Sequence, residues 1–305
     1  MSGGLDSSLV CAVSKSLLGK SFPVFTIAFE SGSSDLPFAK EVANYLGLQH
    51  HIITITEEQA LKEIDETIYA IESWDITTIR ASVMQRLVAK YVERHTDIRV
   101  LLVGENSDEL FLGYLYEHNA PSAAAAHEDS IRLVSDVHRF DGLRADRCMA
   151  YHGLEVRLPF ADTNLLDFVF GLDPQFVIPQ KGVEKALLRD AFADSGLLPH
   201  SVLSRVKGAM SDEVSSYDRS WYVVIQEYMD SKVSDEEFNK EKNKFKHCTP
   251  FTKESYYYRK KFVEYFGTSE SVSKTIPYFW MPKWTLETQD PSARTLKKYK
   301  ELIKN

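Results

Sequence analysis

Hydrophobic and polar positions change their spacing several times along the first part of the chain. Leucine and valine recur every four residues over 5–17, which predicts an amphipathic helix that ends at Gly19. The nearly continuous apolar run 23–29 is typical of a buried parallel strand. The chain therefore begins with a helix that leads into a strand, as in a mixed α/β protein.

Strand and helix signals continue to alternate over roughly the first 115 residues. The pattern predicts strands over 23–29, 50–56 and 98–103, and helices over 37–46, 57–72 and 79–94. This alternation indicates right-handed βαβ units and a doubly wound parallel sheet. Ligands of such sheets bind beyond the carboxyl ends of the strands.

Helical periodicity dominates from about residue 125 onward. We therefore predict an α/β nucleotide-binding part over 1–120 and a mainly helical part over 121–305, with no linker between them. The segment 236–266 is rich in Lys and Tyr without a net basic patch, and its composition predicts a solvent-facing surface.

The loop before the first predicted helix combines two glycines with hydroxyl and acidic side chains. Glycine lets backbone N–H groups converge on an anion, and the helix N-terminus adds partial positive charge. Asp6 would repel a bare phosphate, so it indicates a bound cation such as Mg²⁺. The alternative is a flexible Ser/Gly-rich start before a capped helix. The pyrophosphate site that we predict comprises Ser2, Gly3, Gly4, Asp6 and Ser7.

A second acidic turn follows the predicted strand 98–103. Glu105 comes at the end of this strand, and Asp108 and Glu109 fall in the first turn of the next helix. Acidic residues there also complement the helix dipole, which is an equally good explanation. Because Asp6 and Asp108 would project at the same sheet edge, however, the two carboxylates predict an Mg²⁺ site.

Composition narrows the class of protein further. The net charge of −8 at pH 7 disfavours nucleic-acid binding, and no apolar run approaches the length of a membrane span. An odd count of three cysteines without a pairing pattern indicates reduced thiols. We therefore expect a cytoplasmic protein with neither nucleic-acid nor membrane partners.

Several blocks, in order, resemble the synthetase half of the glutamine-dependent asparagine synthetases, which belong to the pyrophosphate-loop ATPases. The resemblance spans essentially the whole chain and rests on residues 2–8, 75–82, 104–109, 113–116, 153–162, 184–189, 205–207 and 290–294. It implies a fold like that of the adenine nucleotide α-hydrolases, with ATP and Mg²⁺ as cofactors. The implied reaction converts aspartate and ammonia to asparagine through β-aspartyl-AMP.

The resemblance also implies roles for individual residues. Glu105 corresponds to the acid that takes a proton from ammonia, and Lys185 and Lys207 to lysines that neutralise the leaving pyrophosphate. Arg80 and Arg157 are expected to contact a substrate carboxylate or to serve structure, and a buried Arg157–Glu155 pair is an equal alternative. Backbone groups expected to border the adenine and ribose are those of Met1, Ala28, Val103 and Gly104.

The chain departs from the family pattern in four respects. Asn106 and Glu213 stand where the family usually has glycine, and Glu213 puts closure of the loop after Lys207 in question. No glutaminase domain is present, so ammonia is the expected nitrogen donor unless a separate glutaminase domain or upstream segment joins it. A strand should precede loop 2–8, and we expect its absence to leave residues 1–305 poorly soluble or inactive.

Three interpretations thus remain open from the sequence. The first is an aspartate-amidating synthetase, which could form a homodimer. The second is a β-lactam synthetase-like adenylating ligase, which shares the fold and the adenylation step. The third is an inactive fragment that serves at most as a binding module.

Overall fold

Four short strands form two separate parallel pairs in the part of the chain that the structure describes. This computed structural model describes residues 1–180, 182–285, 288 and 290–296. One pair joins β1 (Pro23–Phe29) to β2 (Gln49–Ile55), and the other joins β3 (Val100–Leu102) to β4 (Glu155–Arg157). Both pairs are parallel, which confirms the predicted mixed α/β organisation.

The predicted single sheet is not continuous among these residues. β1 pairs only with β2 and β3 pairs only with β4, while residues of β1 and β3 border the same cavity. The sequence pattern missed β4 because it has three residues, two of them charged and exposed, with no apolar run. The doubly wound arrangement therefore stays a prediction.

Helices connect and surround these strands. In the first half they are α1 (Leu5–Leu18), α2 (Leu36–Leu46), α3 (Glu57–Lys62), α4 (Ile64–Ile71), α5 (Ile76–His95), α6 (Ser107–Leu110), and the 3₁₀ turn Leu115–Asn119. In the second half they are α7 (Ala123–Asp136), α8 (Asp141–Ala150), α9 (Thr163–Phe170), α10 (Ala186–Phe192), α11 (His200–Leu203), α12 (Met210–Glu213), α13 (Trp221–Lys232), α14 (Asp235–Glu241), α15 (Lys253–Phe266) and α16 (Glu270–Ser273). Further 3₁₀ turns are Val137–Arg139, Pro159–Ala161, Pro174–Phe176, Lys242–Lys244 and Ala293–Thr295. The last predicted residues of the helical part, 297–305, lie outside the described residues.

The apolar stripe predicted for α1 is buried only at its beginning. Leu5 and Leu9 are buried, but Val13 is 36% exposed and Leu17 is 81% exposed. A repeat of four residues drifts by about 40° per step from a helix with 3.6 residues per turn. The stripe therefore rotates away from the core toward the helix end.

Two hydrophobic cores hold the molecule together. The larger packs β1 and β2 against α4, α5, α13 and α15, and the smaller packs α1 against α6, α10 and α11. The expectation of a solvent-facing segment 236–266 is wrong for α15, because Tyr258 and Phe262 are buried in the larger core. Tyr258 and Phe262 lie four residues apart on one face of the helix, a spacing that composition alone concealed. Within the described residues, no helix has both the length and the apolar character needed to cross a membrane.

One buried acidic side chain has no hydrogen-bonded partner. Glu117, on the 3₁₀ turn Leu115–Asn119, is 2% exposed, and neither carboxyl oxygen accepts a hydrogen bond from the described residues. Burial, reinforced by the nearby Asp129 carboxylate, raises the pKa of Glu117 to about 8. The folded protein therefore holds this proton more tightly than the unfolded chain does.

We expect the free energy of unfolding to fall as the pH rises from 4.5, the ordinary pKa of Glu117, to about 8. The limiting slope for one group is about 1.4 kcal/mol per pH unit. Glu117→Gln should remove this part of the decline, measured by urea unfolding across that range. The exposed Glu128 on α7 is the control, and Glu128→Gln should keep the decline. An identical pH profile for Glu117→Gln and the wild type would contradict the assignment.

Candidate active site

A cavity of about 550 Å³ opens between the two strand pairs. Its apolar part lies between the facing edges of β1 and β3, where Val24 and Leu102 are among the lining residues. Its polar part is bordered by the loop before α1, the turn after β3 and the segment around Lys207. Both loops that the sequence singled out therefore meet at this cavity.

Four charged side chains converge at the polar end of the cavity. The Lys185 Nζ lies 2.5 Å from the Asp6 Oδ1 and 2.7 Å from the Asp108 Oδ1. The Lys207 Nζ lies 2.5 Å from the Asp108 Oδ2 and 3.6 Å from the Asp6 Oδ2. Each ammonium group thus bridges both carboxylates, and the structure brings together four residues that the sequence had placed in one site.

Two glycines permit this close approach. A Cβ atom at Gly113 would lie 2.1 Å from the Asp108 Oδ1 and 2.1 Å from the Lys185 Cε, so any other residue there would displace these side chains. A Cβ at Gly104 would lie 2.9 Å from the Cβ of Asp6. Glycine at these positions therefore lets the two acidic loops and the lysine share a single point.

The backbone around the lysines is held by a buried ion pair. Lys185 has a φ of 54°, in the left-handed region that non-glycine residues rarely adopt. The preceding residue, Glu184, accepts hydrogen bonds from the Lys207 backbone N–H at 2.9 Å and from the Arg189 Nη2 at 2.6 Å. Arg189 also donates to the carbonyl of Arg205 at 2.8 Å. These bonds connect the two lysine-bearing segments to each other.

Electrostatics keep the cluster charged. Burial alone would raise the pKa of Asp108, but the ammonium groups of Lys185 and Lys207 outweigh it and hold that pKa at about 2. Burial would likewise lower the pKa of Lys207, but Asp108 and Asp6 outweigh it and raise that pKa above its ordinary value. The cluster is therefore a compensated set of two anions and two cations.

The donor set fits a hard divalent cation that is shared with phosphate oxygens. Asp6 and Asp108 supply carboxylate oxygens, the ligand type that Mg²⁺ prefers. Among the described residues, no group of three or more His, Cys, Asp or Glu side chains could hold a metal alone. Two carboxylates plus substrate phosphates are a common way for proteins to bind Mg²⁺.

Glu105 lies at the same cavity in a separate hydrogen-bond network. Its Oε1 accepts a hydrogen bond from the Gln85 Nε2 at 2.9 Å and one from the Arg144 Nη1 at 3.3 Å. Arg144 also donates to the Asp141 Oδ1 at 2.7 Å. The other carboxyl oxygen of Glu105 has no hydrogen-bond partner among the described residues. Glu105 is thus oriented by one oxygen and free to interact through the other.

A hydrogen-bonded tyrosine and glutamate line the same cavity. The Tyr114 hydroxyl donates to the Glu109 Oε1 at 2.6 Å. Burial, followed by the charges of Asp141 and Asp108, raises the pKa of Glu109 well above its ordinary value. Burial, followed by the charge of Glu109, also raises the pKa of Tyr114. Burial thus favours the uncharged form of both side chains.

The chain is similar in sequence to a family of known proteins. Residues 1–133 and 118–289 match the sequence model of the family described as Asparagine synthase. The chain belongs to the asparagine synthase family.

Curated relatives of the chain include glutamine-hydrolyzing asparagine synthetases from three vertebrates. Identity is 44% with the Gallus gallus protein over 99% of this chain, 44% with that of Cricetulus griseus over 100%, and 43% with that of Homo sapiens over 100%. In each case the match covers 54% of the relative. The chain thus spans about half the length of the curated relatives it matches.

The two arginines that were candidates for a substrate carboxylate serve different purposes in this family member. Arg80 lines the cavity, but its guanidinium is engaged by Glu254, at 2.6 and 2.8 Å, and by Asp290, at 2.8 and 2.9 Å. Arg157 is 64% exposed on β4 and pairs with the equally exposed Glu155, away from the cavity. The expected pair with Glu155 therefore forms, but it is exposed rather than buried because the alternation of β4 directs both side chains to solvent, and Arg157 does not line the cavity.

The candidate adenine-binding residues are only partly brought together. Met1, Val103 and Gly104 line the cavity, as do Ser2, Gly4, Asp6 and Ser7 of the predicted pyrophosphate loop. Ala28 is buried in β1 and does not line the cavity. Gly3 does not line the cavity either. Its φ is 82°, and a Cβ atom there would lie 2.3 Å from the backbone nitrogen of Ala39.

The fold accommodates the two residues that stand where the family usually has glycine. Asn106 adopts a φ of 74° and donates from its side chain to the Phe160 carbonyl at 2.9 Å, so the turn after β3 keeps its left-handed residue. Glu213 is buried, and its Oε2 accepts a hydrogen bond from the Arg205 Nη2 at 3.2 Å. Arg205 also pairs with Asp35 at 2.7 Å. Glu213 thus attaches the segment after Lys207, through Arg205, to the start of α2.

Sequence reasoning missed the residues that orient Glu105 and the tail that closes the cavity. Gln85 and Arg144 lie on α5 and α8, and no local motif marks them. Both side chains are buried, which only the tertiary structure reveals. The cavity is also bordered by Pro291, Ser292 and Ala293. The sequence analysis had noted these residues only because they resemble the family's tail.

Arg80→Ala should destabilise the protein by about 3–5 kcal/mol, because it leaves the buried Glu254 without its partner. Urea unfolding measures this loss. Arg157→Ala, which breaks the exposed pair with Glu155, is the matched control and should cost less than about 1 kcal/mol. Equal stabilities of the two variants would contradict the structural role of Arg80.

Proposed function

We propose that this chain catalyses the ATP-dependent amidation of aspartate to asparagine. A β-carboxylate oxygen of aspartate attacks the α-phosphorus of ATP, and the bond to the β-phosphate breaks to release pyrophosphate. Ammonia then attacks the carbonyl carbon of β-aspartyl-AMP. The nitrogen loses a proton and AMP leaves, so that asparagine is formed.

One observation carries this proposal. Asp6, Asp108, Lys185 and Lys207 meet at one end of the cavity, beside the glycine-rich loop that begins α1. A polyphosphate bound there would find backbone N–H groups, a helix N-terminus and two ammonium groups. Membership of the asparagine synthase family supports the same reading.

The adenylation step needs charge compensation at the leaving pyrophosphate. We assign this task to Lys185 and Lys207, whose backbone segments are connected by the Glu184–Arg189 pair and whose ammonium groups contact Asp108. Asp6 and Asp108 would hold Mg²⁺, which when bound neutralises phosphate charge. Met1, Val103 and Gly104 would border the nucleoside from the strand edges.

The amide-forming step needs a base for the attacking ammonia. We assign it to Glu105, whose free carboxyl oxygen faces the cavity while Gln85 and Arg144 hold the other. The tail residues 291–293 border the cavity and would help to exclude water from the acyl-adenylate. The curated relatives are named glutamine-hydrolyzing, and we propose that a separate glutaminase domain supplies ammonia to the synthetase part. A doubly wound sheet, a cytoplasmic location and a homodimer remain predictions.

Asp108→Asn should lower aspartate-dependent ATP–pyrophosphate exchange by at least about 100-fold, since it removes a carboxylate from the phosphate end of the cavity. The exchange of labelled pyrophosphate into ATP measures adenylation alone. Asp146→Asn, an exposed change on α8, is the control.

Replacing aspartate with a carboxyethyl-arginine tests the β-lactam synthetase-like alternative. Exchange that depends on the latter substrate would contradict asparagine synthesis.

Glu105→Gln should separate the two steps. We expect near-normal exchange but a loss of about 10²–10⁴-fold in ammonia-dependent asparagine formation, because only the second step needs the base. Asparagine is quantified by chromatography alongside the exchange assay. A loss confined to exchange would instead place Glu105 in nucleotide binding.

A further inference from the structure

The two carboxylates expected to hold a divalent cation are already bridged by the chain's own lysines. We propose that Lys185 and Lys207 occupy the cation position in the nucleotide-free protein, so that a divalent metal enters only together with a polyphosphate. This inference rests on the proposed function and adds an order of binding to it.

The bridging geometry leaves no acidic oxygen pair for a free cation. Lys185 contacts one oxygen of Asp6 and one of Asp108, at 2.5 and 2.7 Å. Lys207 contacts the remaining oxygen of Asp108 at 2.5 Å and lies 3.6 Å from that of Asp6. A metal ion between the two carboxylates would compete for the same oxygens and face two ammonium groups at close range.

This arrangement is built into the fold. Lys185 is 1% exposed, its backbone is left-handed, and only glycine at position 113 leaves room for its contact with Asp108. The Ser107 hydroxyl donates to the Asp6 Oδ1 at 2.8 Å and accepts from the Lys185 Nζ at 3.1 Å. The lysine is thus held between the two acidic loops.

A polyphosphate would change this balance. Its oxygens offer the lysines a second set of anionic acceptors. The same oxygens also complete the coordination of a divalent metal ion, which two carboxylates cannot supply alone. Lys207 is 22% exposed, and the four-carbon stem of a lysine lets its ammonium group move toward such an acceptor. Metal and polyphosphate should therefore bind cooperatively, each tightening the other by the same factor.

Binding of Mn²⁺ to the full chain, followed by electron paramagnetic resonance, tests the inference without any turnover. For the wild type we expect Mn²⁺ alone to bind at least 10-fold more weakly than to the Lys185→Met/Lys207→Met double variant. Adding inorganic pyrophosphate should tighten Mn²⁺ binding to the wild type at least 10-fold, after correction for the complex formed in buffer. The double variant should lose most of this enhancement.

Two further variants keep the test decisive. Lys207→Met alone changes the more exposed lysine, and it should show an intermediate gain in Mn²⁺ binding even if the double variant does not fold. Lys253→Met is the matched control. Lys253 also bridges two carboxylates, those of Asp230 and Asp235, and none of these three residues lines the cavity. It should behave like the wild type.

Tight binding of Mn²⁺ alone to the wild type would overturn the inference. Failure of both lysine variants to gain Mn²⁺ binding would overturn it as well, since the lysines would then not be what excludes the metal. Neither result depends on aspartate-dependent exchange. Absence of exchange with the expected Mn²⁺ behaviour would count against the proposed function alone.

Discussion

The site depends on one interaction, the four-charge cluster of Asp6, Asp108, Lys185 and Lys207. Its members come from distant parts of the chain, and they meet only because two glycines remove the side chains that would keep the loops apart. Buried charges are costly unless they are paired and well positioned. The cluster therefore connects the half of the chain that carries β1, β2 and β3 to the mainly helical half, at the end of the cavity where we propose that a polyphosphate binds.

A second group of buried charges connects the helical core to the last described segment of the chain. Arg80 on α5 engages Glu254 on α15 and Asp290 in the tail. Asp290 in turn precedes the residues 291–293 that border the cavity. One guanidinium thus joins the helical core and the tail to the wall of the cavity. These contacts support the structural one of the two roles that the sequence had left open for Arg80.

The cavity itself follows from the way in which the strands are paired. β1 and β3 each have a partner on one side only among the described residues, and their other edges border the apolar part of the cavity. The loop before α1 and the turn after β3 border its polar part. Placement of both loops at one edge is the arrangement expected for ligand binding in parallel α/β folds. The fold and the proposed chemistry therefore depend on the same two strands, β1 and β3.

The sequence by itself determined the local elements and the chemistry-bearing loops. The apolar run 23–29 predicted β1 because burial on both faces leaves a continuous signal, and the Gly-Gly-Leu-Asp-Ser motif predicted an anion site. Only the tertiary structure decided that Arg80 pairs internally, that Arg157 faces solvent, that Ala28 lies outside the cavity, and that α15 is buried. The pairing of Arg80, for example, depends on contacts with residues far apart in the chain, and no local spacing encodes it. The lysine bridges, likewise, exist only where distant backbones approach within a few ångströms.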